Sequence, residues 1–166
     1  NRVQRFTAMG SFTGAWGSYG SGTGELSGPW GVAATSSNAV YVCEYWNARV
    51  QEFTGTGSPL RMWGQNGQGQ GDLSYPKGCA VGPDGSVYVA DSANNRVQKF
   101  AGDGTFLMAW GSPGGGPGEF MGPVGITVDA GGNVYVTDTG NDRVEKFTSG
   151  GAFLAAWGTH GAGDGQ

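Results

Sequence analysis

Three acidic side chains are each followed, five residues later, by an arginine. The pairs are Glu44 with Arg49, Asp91 with Arg96, and Asp138 with Arg143. A carboxylate beside a guanidinium could serve an active site or hold two segments together. Because the same pair recurs every 47 residues, catalysis is disfavoured. We predict a structural role for all three pairs, either as ties at a corner between strands or as arginines reaching the adjacent repeat.

Aromatic residues form a second group that could bind a partner. These residues differ from those found 47 and 94 residues later in the chain. The positions equivalent to Tyr45 and Trp46 carry Ser-Ala and Thr-Gly, and those equivalent to Trp30 carry Lys77 and Val124. Exposed aromatic side chains are typical of recognition sites for peptides or sugars. We expect these side chains to form a ligand- or partner-binding surface on one face of the protein, beside the mouth of the central channel of the ring-shaped fold predicted below. The alternative is that they fill packing gaps. The five candidates are Tyr19, Trp30, Tyr45, Trp46 and Tyr75.

Few residues have the types and spacing of a metal or nucleophile site. His160 is the only histidine, and no Cys/His spacing is typical of zinc. The sequence therefore predicts no metal site and no cofactor. Calcium bound by loop carboxylates, for instance near Asp84, Asp129 or Asp164, remains an open alternative.

The only two cysteines are Cys43 and Cys79. They fall on predicted strands of successive repeats, so they could meet where two repeats pack together. We favour two buried thiols that fill space, and a disulfide is the alternative.

Charge and composition exclude several classes of partner. The net charge is -4, and the nine lysines and arginines are spread along the chain, whereas a nucleic-acid surface needs clustered cations. The glycine-rich segments 64–73 and 111–120 precede predicted strands rather than helices, which argues against a phosphate site. The longest apolar stretch, around 152–157, is too short to span a membrane. We expect neither nucleic-acid binding nor membrane insertion.

These candidate residues lie on an internal repeat of 47 residues. The dipeptide Arg-Val begins at positions 2, 49, 96 and 143, and Trp-Gly begins at 16, 63, 110 and 157. No insertion or deletion interrupts this register. About three and a half units therefore fill the chain.

Each unit predicts four short strands, here called a, b, c and d, separated by turns rich in Gly, Asn and Asp. Four strands per repeat with tight links are typical of a β-propeller blade. The rival fold, a parallel β-helix, has shorter coils. We predict an all-β partial propeller in one domain spanning 1–166, with glycine-rich loops between the blades. It consists of a half-blade at 1–17 and blades at 31–64, 78–111 and 125–158.

The segments VYVADSANNRVQKF (87–100) and GPVGITVDAGGNVYVTDTGNDRVEKF (122–147) resemble NHL repeats of the bacterial type. The resemblance covers the whole chain. It implies a propeller, usually of six blades, that works mainly as a binding scaffold. Some relatives are sensor or adhesion domains and some bind RNA. A minority of related six-bladed propellers are enzymes with a metal in the central channel.

An arc of three blades leaves two apolar blade faces bare, which would be an aggregation hazard. We therefore expect other polypeptide to complete the ring, either the rest of a longer chain or further copies. The function we expect is non-catalytic binding of protein or carbohydrate through the loop face. The alternative is a lactonase-like hydrolase or lyase with a channel metal. The acidic balance and scarcity of lysine favour a secreted or cell-surface location.

Overall fold

Fourteen strands account for almost all the regular structure in the computed structural model, which describes residues 1–166. The first sheet is a hairpin of β1 (Val3–Phe6) and β2 (Phe12–Trp16). The first full blade comprises β3 (Pro29–Ala34), β4 (Ala39–Glu44), β5 (Arg49–Thr54) and β6 (Pro59–Trp63). The second comprises β7 (Pro76–Val81), β8 (Val87–Asp91), β9 (Arg96–Phe100) and β10 (Phe106–Trp110). The third comprises β11 (Pro123–Val128), β12 (Val134–Asp138), β13 (Arg143–Phe147) and β14 (Phe153–Trp157).

Each full sheet is antiparallel, and its four strands lie in chain order. The fold is therefore the predicted row of β-propeller blades, preceded by a half-blade that contains only strands c and d. Two three-residue 3₁₀ turns are the only helical elements, and no helix is long and apolar enough to cross a membrane.

Strand a begins two residues earlier than the sequence pattern predicts. In the second blade, Pro76 pairs with Asp91, and the register shifts before Cys79 pairs with Val89. Proline has no N–H to donate, but it is tolerated as the first residue of a strand. The irregularity between Pro76 and Cys79 hides this early pairing from a simple alternation of side chains.

The hydrophobic core lies between blades rather than within them. One cluster joins Tyr41 and Cys43 of the first blade to Cys79, Val89 and Phe100 of the second. An equivalent cluster joins the second and third blades. Burial of one such side chain contributes about 1.5–3 kcal/mol. The blades therefore stabilise one another through their faces.

Successive strands a approach each other closely because each carries a glycine. A Cβ atom built on Gly31 would lie 2.3 Å from the carbonyl oxygen of Lys77, and one on Gly78 would lie 2.4 Å from that of Val124. No larger residue fits without shifting the neighbouring backbone. These glycines fix the spacing between the inner edges of the blades.

Cys43 and Cys79 belong to the same interblade cluster, and both are free thiols. Each lies within hydrogen-bonding distance of a backbone carbonyl across the interface, Cys43 of Gly78 and Cys79 of Tyr41. They fill the space between β4 and β7.

Candidate functional site

The acidic residue at the end of strand b is fully buried and fully hydrogen-bonded. In the second blade, Oδ1 of Asp91 accepts the backbone N–H of Ser74 at 2.7 Å. Its Oδ2 accepts from Asn94 at 2.8 Å, from Nε of Arg96 at 2.7 Å and from Gln98 at 3.1 Å. The carboxylate therefore joins strands b and c to the segment that precedes strand a.

The arginine uses its remaining nitrogens on the same segment. Nη1 of Arg96 donates to the carbonyl of Gln68 at 2.9 Å, and Nη2 donates to those of Gly69 and Asp72, both at 2.8 Å. Arg49 and Arg143 make the corresponding bonds in their own blades. All three arginines thus hold the glycine-rich loop that leads into their own blade, and none is left free to meet a ligand.

The third blade departs from this pattern at Glu145, which occupies the position of Gln51 and Gln98. Its Oε1 accepts the backbone N–H of Gly118 at 3.1 Å. Its Oε2 is buried and has no partner. Burial raises the pKa of Glu145, and the charge of Asp138 adds to this effect. Comparison of the repeats reveals this substitution, but the sequence analysis did not identify Glu145 as a candidate site residue.

Four of the five predicted aromatic residues form one connected group that spans the first blade and the start of the second. We call Trp30, Tyr45, Trp46 and Tyr75 the aromatic surface. The rings of Tyr45 and Tyr75 are stacked with centroids 4.7 Å apart. Tyr45 also lies 4.6 Å from Trp46 and 5.5 Å from Trp30. Tyr45 is therefore the central ring, and it is held on three sides.

The outer rings of this group remain open to solvent. Trp46 is 67% exposed, and Trp30 and Tyr75 are also exposed. The ammonium group of Lys77 lies 5.5 Å from the centroid of Trp30, a distance at which a cation is attracted to the face of an aromatic ring. Sequence reasoning used Lys77 only as a contrast to Trp30 and missed that the two side chains meet. Tyr19, the fifth candidate, is exposed and makes no ring contact with the other four.

Tyr75 adopts a backbone conformation that disfavours side chains. Its φ is +49°, and the equivalent residues are Gly28 with φ +59° and Gly122 with φ +64°. A non-glycine residue in this region costs about 1–2 kcal/mol. The stacked ring of Tyr75 is thus held in place despite a backbone cost that the other two repeats avoid.

The repeat unit matches a known family. The family model described as NHL repeat matches residues 26–53, 73–100 and 120–147, about half of the chain. The chain belongs to the NHL-repeat family. Each matched segment of this NHL-repeat chain includes one carboxylate–arginine pair, and the first and second together contain the whole aromatic surface.

Solved structures with the same fold include lyases and a protein complex. A catalytically inactive virginiamycin B lyase from Staphylococcus aureus with quinupristin superposes with a TM-score of 0.71 and 17% identity over 98% of this chain. A streptogramin B lyase gives 0.63 and 20% over 84%. A nidogen/laminin complex gives 0.61 and 24% over 79%.

The NHL-repeat chain spans 50%, 43% and 50% of those three structures, respectively. At these identities the likeness shows the fold alone. No curated protein matches the sequence.

A concave region, separate from the aromatic surface, lies where the three turns between strands a and b converge. It is an open cleft of about 390 Å³, lined by Thr35, Gly82 and Asp129 among others. Hydrogen bonds from Asn133 lower the pKa of Asp129 to about 2. Asp84 likewise bonds within its own turn, to Ser86. No group of three or more His, Cys, Asp or Glu side chains is placed to hold a metal ion.

Proposed function

We propose that this NHL-repeat chain is a non-catalytic binding unit whose aromatic surface recognises a peptide or a glycan. The observation that carries the proposal is that the aromatic surface departs from the repeat. The second and third blades fold with Ser92–Ala93 and Thr139–Gly140 in place of Tyr45–Trp46. The blade architecture therefore does not require these rings.

The strained backbone at Tyr75 supports the same proposal. Glycine at the equivalent position serves the fold in the other two repeats. Backbone strain of this kind concentrates at functional sites. The side chain of Tyr75 completes a stacked pair with Tyr45, so the strain maintains the aromatic surface.

The chemistry of the aromatic surface limits its ligands. Flat exposed rings offer apolar contact to the faces of sugar rings and to proline-containing peptides. Lys77, beside Trp30, adds one positive charge. We expect a mostly uncharged ligand that covers two or three rings.

The experiment uses the wild-type chain with two sets of probes, neutral oligosaccharides and proline-containing peptides, screened by microarray and quantified by calorimetry. Trp46→Ala and Trp30→Ala should each weaken binding at least tenfold, because truncation of an aromatic anchor costs about 2 kcal/mol or more. Their thermal stability should stay unchanged. Tyr19→Ala is the matched control, since Tyr19 is exposed and lies apart from the other rings, and it should bind as the wild type does.

Tyr75→Gly separates a binding role from a packing role. It restores the residue type of the other repeats, so the relief of backbone strain should offset most of the lost stacking, and the unfolding free energy should change by less than about 1 kcal/mol. Binding should nevertheless weaken. If neither probe set binds, or if all the variants bind as the wild type does, the aromatic surface is a packing feature.

The alternative function is that of a lyase-type enzyme with a metal in the central channel. Only the similarity of fold to the lyase structures supports it. Calorimetric titration with divalent cations is its direct test. Stoichiometric binding at the cleft between the a–b turns would favour it.

A further inference from the structure

An asparagine side chain joins successive blades at two of the three junctions inside the chain. Oδ1 of Asn1 accepts the backbone N–H of Gly28 at 3.0 Å, and Oδ1 of Asn95 accepts that of Gly122 at 2.8 Å. In each pair the asparagine lies just before strand c of one blade, and the glycine lies just before strand a of the next. The amide oxygen thus satisfies a backbone donor of the neighbouring blade.

The junction between the first and second blades lacks this hydrogen bond. Its equivalent residues are Ala48 and Tyr75, each 47 residues before Asn95 and Gly122. Alanine has no side-chain oxygen, and the N–H of Tyr75 donates to no atom of the chain. Tyr75 is 44% exposed, and a backbone N–H is a strong hydrogen-bond donor that needs a partner. The same residue therefore adds a ring to the aromatic surface and leaves one donor free beside it.

The rings of the aromatic surface are packed too closely to admit a ligand between them. The centroids of its four contacting ring pairs are 4.6 to 5.9 Å apart. A group inserted between two rings needs about 7–8 Å, twice the usual contact distance between carbon atoms. Proline-rich peptides dock into grooves lined by aromatic side chains, and these rings leave no such groove. A ligand must rest on an outer ring face.

Trp46 offers the most open of these outer faces. It is 67% exposed, and its indole is nearly perpendicular to the rings of Tyr45 and Tyr75, at 87° and 86°. Trp30 is less open, because the ammonium group of Lys77 lies 5.5 Å from its centroid. A single open indole face matches the apolar face of one pyranose ring. This arrangement favours a sugar over a proline-containing peptide.

The chemistry of the missing hydrogen bond specifies the substituent on that sugar. The side chain of Asn95 supplies a carboxamide oxygen to the N–H of Gly122. An acetamido group carries the same carbonyl oxygen and is likewise uncharged. At the junction with Ala48, a ligand can therefore supply the oxygen that the chain itself omits.

We infer that the aromatic surface binds glycans that contain N-acetylated sugars. This inference rests on the proposed function and names the ligand of that same site. The pyranose ring stacks on Trp46, and its acetamido carbonyl accepts the backbone N–H of Tyr75. The ligand thus takes toward Tyr75 the role that Asn95 has toward Gly122.

The test is an NMR titration of the nitrogen-15-labelled wild-type chain with two neutral trisaccharides of the same linkage. One is a trimer of N-acetylglucosamine, and the other is a trimer of glucose, which carries a hydroxyl in place of each acetamido group. The acetylated trimer should bind about three- to tenfold more tightly, as expected for one additional hydrogen bond. Both sugars should shift the indole resonance of Trp46, whereas only the acetylated trimer should shift the backbone amide resonance of Tyr75 strongly.

Ala48→Asn tests the role of the free donor, because it returns a carboxamide to this junction. The backbone accepts asparagine there, since the φ values of Ala48 and Asn95 are +51° and +52°. The variant should bind the acetylated trimer no more tightly than the glucose trimer. Asn95→Ala is the matched control, because it removes the same hydrogen bond at a junction without the aromatic surface. It should keep the wild-type preference for the acetylated trimer.

The outcomes separate this inference from the proposed function. Equal affinity for the two trimers, or an unchanged preference in Ala48→Asn, would overturn the inference. The proposed function would stand in that case, provided that Trp46→Ala still weakens binding. Binding of proline-containing peptides but of neither trimer would also overturn the inference, since the ligand would then be a peptide. If no trimer and no peptide binds, the inference and the proposed function both fail.

Discussion

Glu145 occupies in the third blade the position that Gln98 occupies in the second, and a carboxyl thereby replaces an amide. Nε2 of Gln98 donates to the carbonyl of Asp72 and to the carboxylate of Asp91. The corresponding oxygen of Glu145 is buried without a partner. Glu145 can donate a hydrogen bond at this position, as Gln98 does, only when its carboxyl group is protonated.

We therefore predict that stability falls as the pH rises past the ordinary range of a glutamate. Burial raises the pKa of Glu145, helped by the charges of Asp138 and Glu119 and opposed by the Gly118 N–H and Arg143. The folded chain thus holds this proton at a pH where the unfolded chain has lost it. Between the two pKa values the free energy of unfolding decreases with pH.

Glu145→Gln should remove this dependence and stabilise the chain at neutral pH by about 1–3 kcal/mol, because a buried unsatisfied group is lost. Gln98→Glu, the reverse exchange in the second blade, should introduce the same dependence. Urea unfolding at a series of pH values measures both. A Glu145→Gln variant with the wild-type pH profile would show that Glu145 carries no extra proton.

Ion pairs of this chain should differ in their contribution to stability according to how deeply both partners are buried. Arg96→Ala removes three carbonyl contacts and leaves Asp91 buried without its ion pair, so it should cost about 3–5 kcal/mol. His160 lies 3.2 Å from the carboxylate of Asp142 and both side chains are exposed, so His160→Ala should cost less than about 1 kcal/mol. Chemical denaturation of both variants tests this. Similar losses at the two sites would contradict it.

Replacement of Ala48 by glycine should stabilise the protein. Ala48 has a φ of +51°, a conformation that Asn95 and Asp142 adopt in the other blades. Asn and Asp tolerate this conformation because their short polar side chains can hydrogen-bond locally, which alanine cannot do. Ala48→Gly should therefore raise the unfolding free energy by about 1 kcal/mol. Ala80→Gly, in strand β7, should instead lower it. A thermal melt of each variant decides the sign.

The two thiols should be unreactive in the folded protein. A hydrogen bond with Cys79 and complete burial raise the pKa of Cys43 well above its ordinary value, so little thiolate forms at neutral pH. A thiol reagent should label neither cysteine in buffer and both in denaturant. Rapid labelling of the native chain would show that the interface between β4 and β7 opens.

The repeat makes the fold predictable because every strand obeys one register of 47 residues. The start of strand a is harder to predict from the sequence, because a register shift separates Pro76 from the regular strand pairing. Of the candidate site, the sequence singles out the aromatic residues by their departure from the other copies. The sequence could not show that Lys77 lies beside Trp30 or that Tyr19 makes no ring contact with the other four, because both depend on loop conformation rather than on spacing.

The placement of the apolar side chains between blades also bears on how such a chain can change in length. No blade has a hydrophobic core of its own, because the core lies at the interfaces between blades. Deletion or duplication of one 47-residue unit therefore removes or adds one blade together with one interface, and the remaining interfaces stay intact. The terminal faces would stay the same after each event. Tandem copying of the gene segment could thus lengthen the protein stepwise, without any requirement for compensating substitutions.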